Sequence, residues 1–284
     1  MAMIATMFML VKYLGQQGIA LPELMFWRQV VTLPLLLGWL AMAGGLSSLR
    51  TRRLKSHAGR AVAGMAGMMC GFASSIYLPL AEATTLSFTT PLFAVLLTAL
   101  VLRETVGKWR WLAVLVGFAG VLVIAQPGHG PINPWGAAAG LGAGLVVAIV
   151  SFQIRDLART EAPPSIVLYF ALFGTLMTLP FLPFFMTAHT PMQWWLLLVT
   201  GVIGTIGQLL LTTALRNGAV ASVIVMDYTA LIWATLYDWA IWEQIPPLTT
   251  WLGAPLIIAA GMTIAWREHR HSKAITPPSA IEVE

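Results

Sequence analysis

Charge is scarce in this chain: 10% of its 284 residues are Asp, Glu, Lys or Arg, against about 25% in soluble domains. That scarcity excludes an ordinary water-facing surface. Cysteine is scarcer still. Cys70 stands alone, so no intramolecular disulfide can form, and its place inside an apolar run makes it a small packing residue rather than a redox centre. The histidines His57, His129, His189, His269 and His271 fall between apolar runs or in the tail, and none makes a paired metal-ligand motif. A Gly-x-Ser-x-Gly elbow and a P-loop are both missing. These absences argue against a membrane enzyme, a metal or other cofactor, and an ATP-driven pump. Residues 1–10 also lack the basic start and small-residue cleavage site of a signal peptide, so they read as a first helix.

What the chain has is apolar length. It is 58% hydrophobic with a mean hydropathy of +0.81. Stretches of about 17 to 25 residues, each able to cross a hydrocarbon core of about 30 Å, recur ten times. They cover residues 1–16, 23–46, 58–79, 83–102, 110–126, 134–154, 164–186, 193–213, 219–242 and 249–267. Backbone groups in lipid must be paired within their own segment, and no alternating barrel pattern is present, so the spans are helices.

The basic residues fix an orientation. With the N-terminus inside, one face collects Arg50, Arg52, Arg53, Lys55, Arg60, Arg103, Lys108, Arg110, Arg155, Arg159, Arg216, Arg267, Arg270 and Lys273. Only Lys12 and Arg28 remain for the other. The positive-inside rule then places both termini in the cytoplasm. The sequence pI near 9.7 reports this topology and not a nucleic-acid partner. Residues 268–284, with Pro277 and Pro278, read as a disordered tail.

The chain also reads as built twice. With a shift of 139 residues, Glu82 to Glu104 lies over Ala221 to Glu243 without a gap, matching Thr90 to Thr229, Leu92 to Leu231, Leu97 to Leu236 and Glu104 to Glu243. Each copy continues through a short polar linker and a Trp to a last helix near Gly120 or Gly261. Gly64 and Gly67 echo Gly201 and Gly204 at a slightly different shift, and small residues at this spacing permit close helix contact. Five crossings per copy force the second to lie inverted. Laying Pro22 over Pro164 places the start of a matching first helix about eight residues before Met1, which favours a start codon further upstream.

Four stretches resemble the drug/metabolite transporter superfamily of the EamA type: PELMFWRQ (Pro22 to Gln29), LSFTTPLFAVLLTALVLRE (Leu86 to Glu104), GFAGVLVIAQPG (Gly117 to Gly128) and DYTALIWATLYDWAIWEQIP (Asp227 to Pro246). The resemblance extends from Lys12 to about Arg267. It implies an all-α membrane protein of ten transmembrane helices in two inverted five-helix repeats, residues 1–128 and 134–267. The last stretch is similar to carriers of S-adenosylmethionine and amino-acid-like metabolites. The chain departs from the family in its first helix, which is usually longer.

An ionisable group inside a span costs about 2.5–3.5 kcal/mol unless it finds a partner or a polar cavity. Asp227, near the middle of the ninth run, is the first candidate. It either faces a central cavity, binding a cationic or amino group or taking up a proton, or it is a structural hydrogen-bonding residue. Tyr228 and Thr229 follow it. Phe88, Thr89 and Thr90 precede Pro91, whose missing N–H leaves a carbonyl unpaired; Gln208 and Trp233 lie at similar depth. These eight residues form the expected substrate site. Arg28 reads as an outer clamp paired with Glu23 or Glu82, or as a ligand for a substrate carboxylate. Asp238, about three turns beyond Asp227, reads as a solvated helix end or a gate. Glu104 and Glu243 close corresponding helices, Glu104 beside Arg103, Lys108 and Arg110.

The expected function is secondary transport of a small organic metabolite, amino-acid-like or S-adenosylmethionine-like, by alternating access across a bacterial inner membrane. Membrane lipid and protons are the further expected partners, and oligomeric state is open. The alternatives are a multidrug or cationic-compound exporter, a channel, or a non-transporting membrane subunit.

Overall fold

The computed structural model describes residues 1–43, 45, 49–100, 103, 106–125, 132–217 and 227–275, with backbone alone for 267–275. All regular structure among the described residues is helical. In chain order the helices are α1 (Ala2–Gln16), α2 (Leu21–Met42), α3 (Leu54–Tyr77), α4 (Leu80–Ser87), α5 (Thr90–Leu100), α6 (Lys108–Ala125), α7 (Pro134–Leu157), α8 (Pro163–Thr178), α9 (Leu182–Phe185), α10 (Pro191–Asn217), α11 (Thr229–Trp242) and α12 (Leu248–Ile275).

Proline sets several starts. Pro22, Pro134 and Pro163 occupy first-turn positions, where a missing N–H removes no helical bond. At α7 the Asn133 side chain also accepts from the N–H groups of Trp135 (3.0 Å) and Gly136 (3.2 Å), a side-chain cap. Beyond α8, Pro180 and Pro183 break the helix into a 3-10 turn and the short α9.

Seven segments are long and apolar enough to cross a membrane: Leu21–Met42, Leu80–Leu100, Lys108–Ala125, Pro134–Leu157, Pro163–Phe185, Pro191–Asn217 and Leu248–Trp266. The expected first, third and ninth spans do not qualify, for three reasons. Helix α1 has only 15 residues. Helix α3 is diluted by Lys55, Arg60 and its glycines and serines. Helix α11 has 14 residues and begins after an interruption, with 218–226 outside the described residues. The expected disordered tail also starts too early: α12 remains helical to Ile275, in keeping with helix formers such as Arg, Glu, Lys and Ala; residues 276–284 lie outside the described residues.

The helices pack in a definite network. Helix α3 lies along α7 and α8; α10 lies along α2 and α1; α2 meets α8; α4 and α5 meet α7; α11 meets α1 and α4; and α6 runs against α12. One apolar cluster joins α1, α2, α3, α8 and α10 through Val11, Leu14, Leu24, Phe72, Phe170 and Leu197. A second joins α4, α6, α7 and α12 through Leu86, Val121, Ile124, Ala137 and Ile257. Large side chains such as Trp39, Leu115, Leu122, Leu210 and Trp239 stay exposed, as a lipid-facing surface requires.

Polar contacts tie the two ends separately. At one end Arg53 pairs with Asp156 and donates to the Thr160 hydroxyl, while the Thr51 hydroxyl donates to Glu161. At the other, Glu23 pairs with His189, Gln193 donates to Gln17, and Trp242 donates to Gln16. The α2–α3 and α7–α8 connections thus share one end, and the α1–α2 connection shares the other with the start of α10 and the end of α11.

Helix α11 ends at Glu243, which takes a left-handed φ of 53°. The Gln244 N–H reaches back to the Asp238 carbonyl (3.0 Å), a closure that normally selects glycine. A non-glycine residue pays about 1 kcal/mol there. Glu243→Gly is therefore expected to stabilise the protein by about that amount, read as a higher melting temperature in detergent.

Candidate functional site

The fourth span is broken. Helix α4 stops at Ser87 and α5 starts at Thr90. Pro91 cannot donate to the Ser87 carbonyl, the acceptor one helical turn back. The Thr90 hydroxyl takes that carbonyl instead (2.8 Å), and the Thr89 hydroxyl donates to the Leu86 carbonyl (2.7 Å). The unpaired carbonyl expected at this site is thus satisfied, because threonine supplies the donor that proline removes. Gly144 of α7 presses on the break: a Cβ there would stand 2.4 Å from Thr89 Oγ1.

The expected ninth run is interrupted as well. Asp227 is helical, Tyr228 interrupts, and α11 begins at Thr229, 139 residues after the start of α5. The two breaks touch, with the Phe88 and Tyr228 rings edge to face at 4.9 Å. Tyr228 also abuts Gly261 of α12, where a Cβ would stand 1.8 Å from its hydroxyl oxygen. That hydroxyl has no hydrogen-bond partner among the described residues. Asp227 and Thr229 are partly buried beside it. The Phe88–Tyr228 contact therefore brings the Phe88–Thr90 segment beside the Asp227–Thr229 segment. Trp233 and Gln208 stand apart. Trp233 is half-exposed and leans on Tyr237, whose hydroxyl pairs with Thr6 (2.7 Å). Gln208 lies on α10, and among the described residues no hydrogen bond joins it to the breaks.

Asp238 corrects the expectation of a solvated helix end. It is 1% exposed and forms an ion pair with Lys12 at 2.9 Å, while its second oxygen accepts the Ala81 N–H at the start of α4 (2.8 Å). Lys12 also lies over the Trp242 ring, 4.3 Å from its centroid. Buried Glu82 is within electrostatic reach of both charges. The polar cluster forms because α1, α4 and α11 converge here, and because an acid suits a helix start.

Arg28 is a second correction. It pairs with neither Glu23 nor Glu82. Five positions along a helix turn Glu23 about 140° away from Arg28, and Glu23 instead holds His189 and accepts from Trp27 (3.3 Å). Arg28 is buried, donating to Gln29 Oε1 (2.9 Å) and to the Met7 sulfur (3.4 Å). Its guanidinium faces the Phe170 ring, as does that of Arg60. In the sequence Arg60 reads only as an inside-face charge. Its distance beyond Arg53 along the helix was the available signal. His57, placed between spans in the sequence, is buried within α3 beside Tyr169 and 3.9 Å from Glu161. Glu104 lies outside the described residues, and Glu243 is exposed. Among the described residues no group of three or more His, Cys, Asp or Glu gathers as a metal site.

The sequence model of the EamA-like transporter family matches residues 1–126 and 134–266, and the chain belongs to that family. It is 30% identical over 207 residues to the pseudopaline exporter CntI of Pseudomonas aeruginosa (strain UCBPP-PA14), covering 72% of this chain and 73% of the exporter. It is 28% identical over 248 residues to the riboflavin transporter of Vibrio cholerae, covering 87% and 83% of the two chains. A solved crystal structure shares the fold with a TM-score of 0.63 at 20% identity, over 95% of this chain and 98% of that one. The protein is a multi-pass membrane transporter and not an enzyme.

Proposed function

We propose that the protein is a secondary transporter of the bacterial inner membrane that moves a small organic metabolite by alternating access. In this reading, residues 1–128 and 134–267 are two inverted five-helix units, and both termini are cytoplasmic. The observation that carries it is the meeting of two broken spans, whose second segments start 139 residues apart, at the Phe88–Tyr228 contact. Discontinuous helices paired near the bilayer midplane are how repeat-built transporters form a site shared by both halves.

Two further observations support the inversion. Counting α4 with α5 and α8 with α9, the helix contacts map onto each other when the halves are exchanged: α3 on α7 becomes α10 on α1, and α2 on α10 becomes α8 on α3. The left-handed residues Arg103 and Glu243 also follow the corresponding helices.

The substrate is read as amino-acid-like or S-adenosylmethionine-like. The relatives named for pseudopaline export and riboflavin transport are likewise metabolite carriers. A cationic-drug exporter fits less well, since buried Arg28 and Arg60 repel cations from the same bundle. Asp227 is assigned to proton coupling or to a substrate amino group.

Proteoliposomes tested for counterflow of labelled amino acids, S-adenosylmethionine and riboflavin are expected to show saturable exchange for a member of this set. Conductance without saturation would establish a channel instead. Asp227→Asn is expected to lower that exchange at least 10-fold and flatten its pH dependence. Full exchange with an unchanged pH profile would remove Asp227 from the mechanism.

A further inference from the structure

Among the described residues, two buried arginines in this bundle have no acid at ion-pair distance. Arg28 on α2 is 4% exposed and Arg60 on α3 is 3% exposed. Arg28 is the eighth residue of its helix and Arg60 the seventh, so each lies about 10 Å in from its end. Because α2 and α3 run in opposite directions, the two side chains enter from opposite ends and meet at one ring. Their guanidinium carbons stand 5.7 and 4.0 Å from the centroid of Phe170.

Among the described residues no carboxylate lies within ion-pair distance of either. Glu23 is held by His189, Asp238 by Lys12 and Asp156 by Arg53, while Glu161 faces His57. Arg60 Nε and Nη1 make no hydrogen bond among the described residues. A guanidinium cannot shed its proton under ordinary conditions, and an uncompensated buried charge is strongly unfavourable. The shared aromatic ring offsets only a small part of that cost.

The surroundings are shaped to keep the two cations in place. Gly64 lies beneath Arg60, where a Cβ would stand 2.1 Å from Nη1, and Gly204 lies beside Arg28, 3.1 Å from Nε. Gln29 donates to the Met65 sulfur (3.2 Å), and Met7 borders Arg28. Thioethers, an aromatic ring and one amide surround the Arg60 Nε and Nη1 donors and the part of the Arg28 fork not already given to Met7 and Gln29.

We propose that Arg28 and Arg60 form a binding subsite for a carboxylate of the transported solute, whose apolar part lies against Phe170, Met7 and Met65. The assignment rests on the transporter reading above. A planar carboxylate matches a guanidinium fork edge to edge. A phosphoryl group, with three charged oxygens, asks for more donors than the free Arg60 nitrogens and the remainder of the Arg28 fork supply. Amino acids and S-adenosylmethionine both carry such a carboxylate, so the subsite fits the proposed substrate class.

The test uses full-length protein purified in detergent. Without solute, Arg60→Met removes an unbalanced buried charge and is expected to raise the melting temperature by about 4 °C. Arg60→Lys keeps the charge and is expected not to. A panel of free acids, including benzoate, L-methionine, L-glutamate and succinate, is compared with the corresponding amides and with inorganic phosphate. At least one acid is expected to raise the melting temperature of the wild type, its amide to have no effect, and neither to shift Arg60→Met. The proposal is overturned by an Arg60→Met protein that melts below wild type, as a framework role requires. It is equally overturned if no acid acts, if acid and amide act alike, or if only phosphate acts. Absence of counterflow alongside the expected melting pattern counts against the transporter reading and leaves the subsite standing.

Discussion

Lys12→Met is expected to destabilise the protein by about 3–5 kcal/mol, because it leaves the Asp238 carboxylate buried without its cation. Both partners are almost fully enclosed, at 3% and 1% exposure, so water cannot take over the role of the ammonium group. Methionine fills much of the same volume, which isolates the loss of charge from loss of packing. The Ala81 N–H remains on Asp238, but a single neutral donor does not balance a buried anion. Glu82 nearby makes matters worse, since a second acid then faces the unpaired one. In the double variant Lys12→Met with Asp238→Asn, both charges are gone and the Asn oxygen still accepts from Ala81. Most of the loss is therefore expected to return, a coupling well above that of independent sites. The measurement is thermal or denaturant unfolding of the two single variants and the double variant in one detergent. A Lys12→Met protein as stable as wild type would show that the pair does not hold α1 to α4 and α11.

That pair also shows where reading the sequence stopped short. The apolar runs and their order are legible because each depends on local pattern: hydropathy, spacing and proline. The membrane class and the family follow from that level. The break at Phe88–Thr89 was visible as Pro91, but its repair by the Thr90 hydroxyl was not, since that depends on backbone geometry. Asp238 read as a helix-end charge because nothing in the sequence brings residue 12 to residue 238; only the packing of α11 against α1 does so. Arg60 was hidden differently. It sits among Arg50, Arg52, Arg53 and Lys55, which carry the topological signal, and only the turn of α3 separates its buried direction from theirs. Arg28 stands out in the sequence as a basic residue inside an apolar run, but complementary charge points to an acid as its partner. The structure gives it a second arginine and a ring instead, an arrangement a search for complementary charge passes over. Glycine roles divided in the same way. The small-residue spacing points to helix contact, and Gly64, Gly67, Gly201 and Gly204 do lie against Phe170, Val146, Val31 and Met7 of neighbouring helices; what it does not show is that Gly64 also makes room for the Arg60 guanidinium.

Gly253→Ala is the substitution expected to cost most among the glycines, about 1–3 kcal/mol, because its conflict is with backbone. A Cβ on Gly253 would stand 2.6 Å from the Gly120 carbonyl oxygen and 2.5 Å from Ile124, and a Cβ on Gly120 would stand 2.8 Å from the Gly253 carbonyl oxygen. The two glycines face each other where α6 and α12 run together. Ile124 can turn aside, but a helical carbonyl cannot, so one added methyl group must push the helices apart along their length. Once they are apart, the second methyl group meets little further resistance. The double variant Gly120→Ala with Gly253→Ala is therefore expected to cost clearly less than the two single losses combined. Gly38→Ala provides the contrast: it is an exposed position in α2 with nothing within 4 Å of its added Cβ. There alanine's better helix propensity is expected to stabilise by about 0.5–1 kcal/mol. If Gly253→Ala and Gly38→Ala shifted the melting temperature in the same direction, backbone contact between Gly120 and Gly253 would not be what joins α6 to α12.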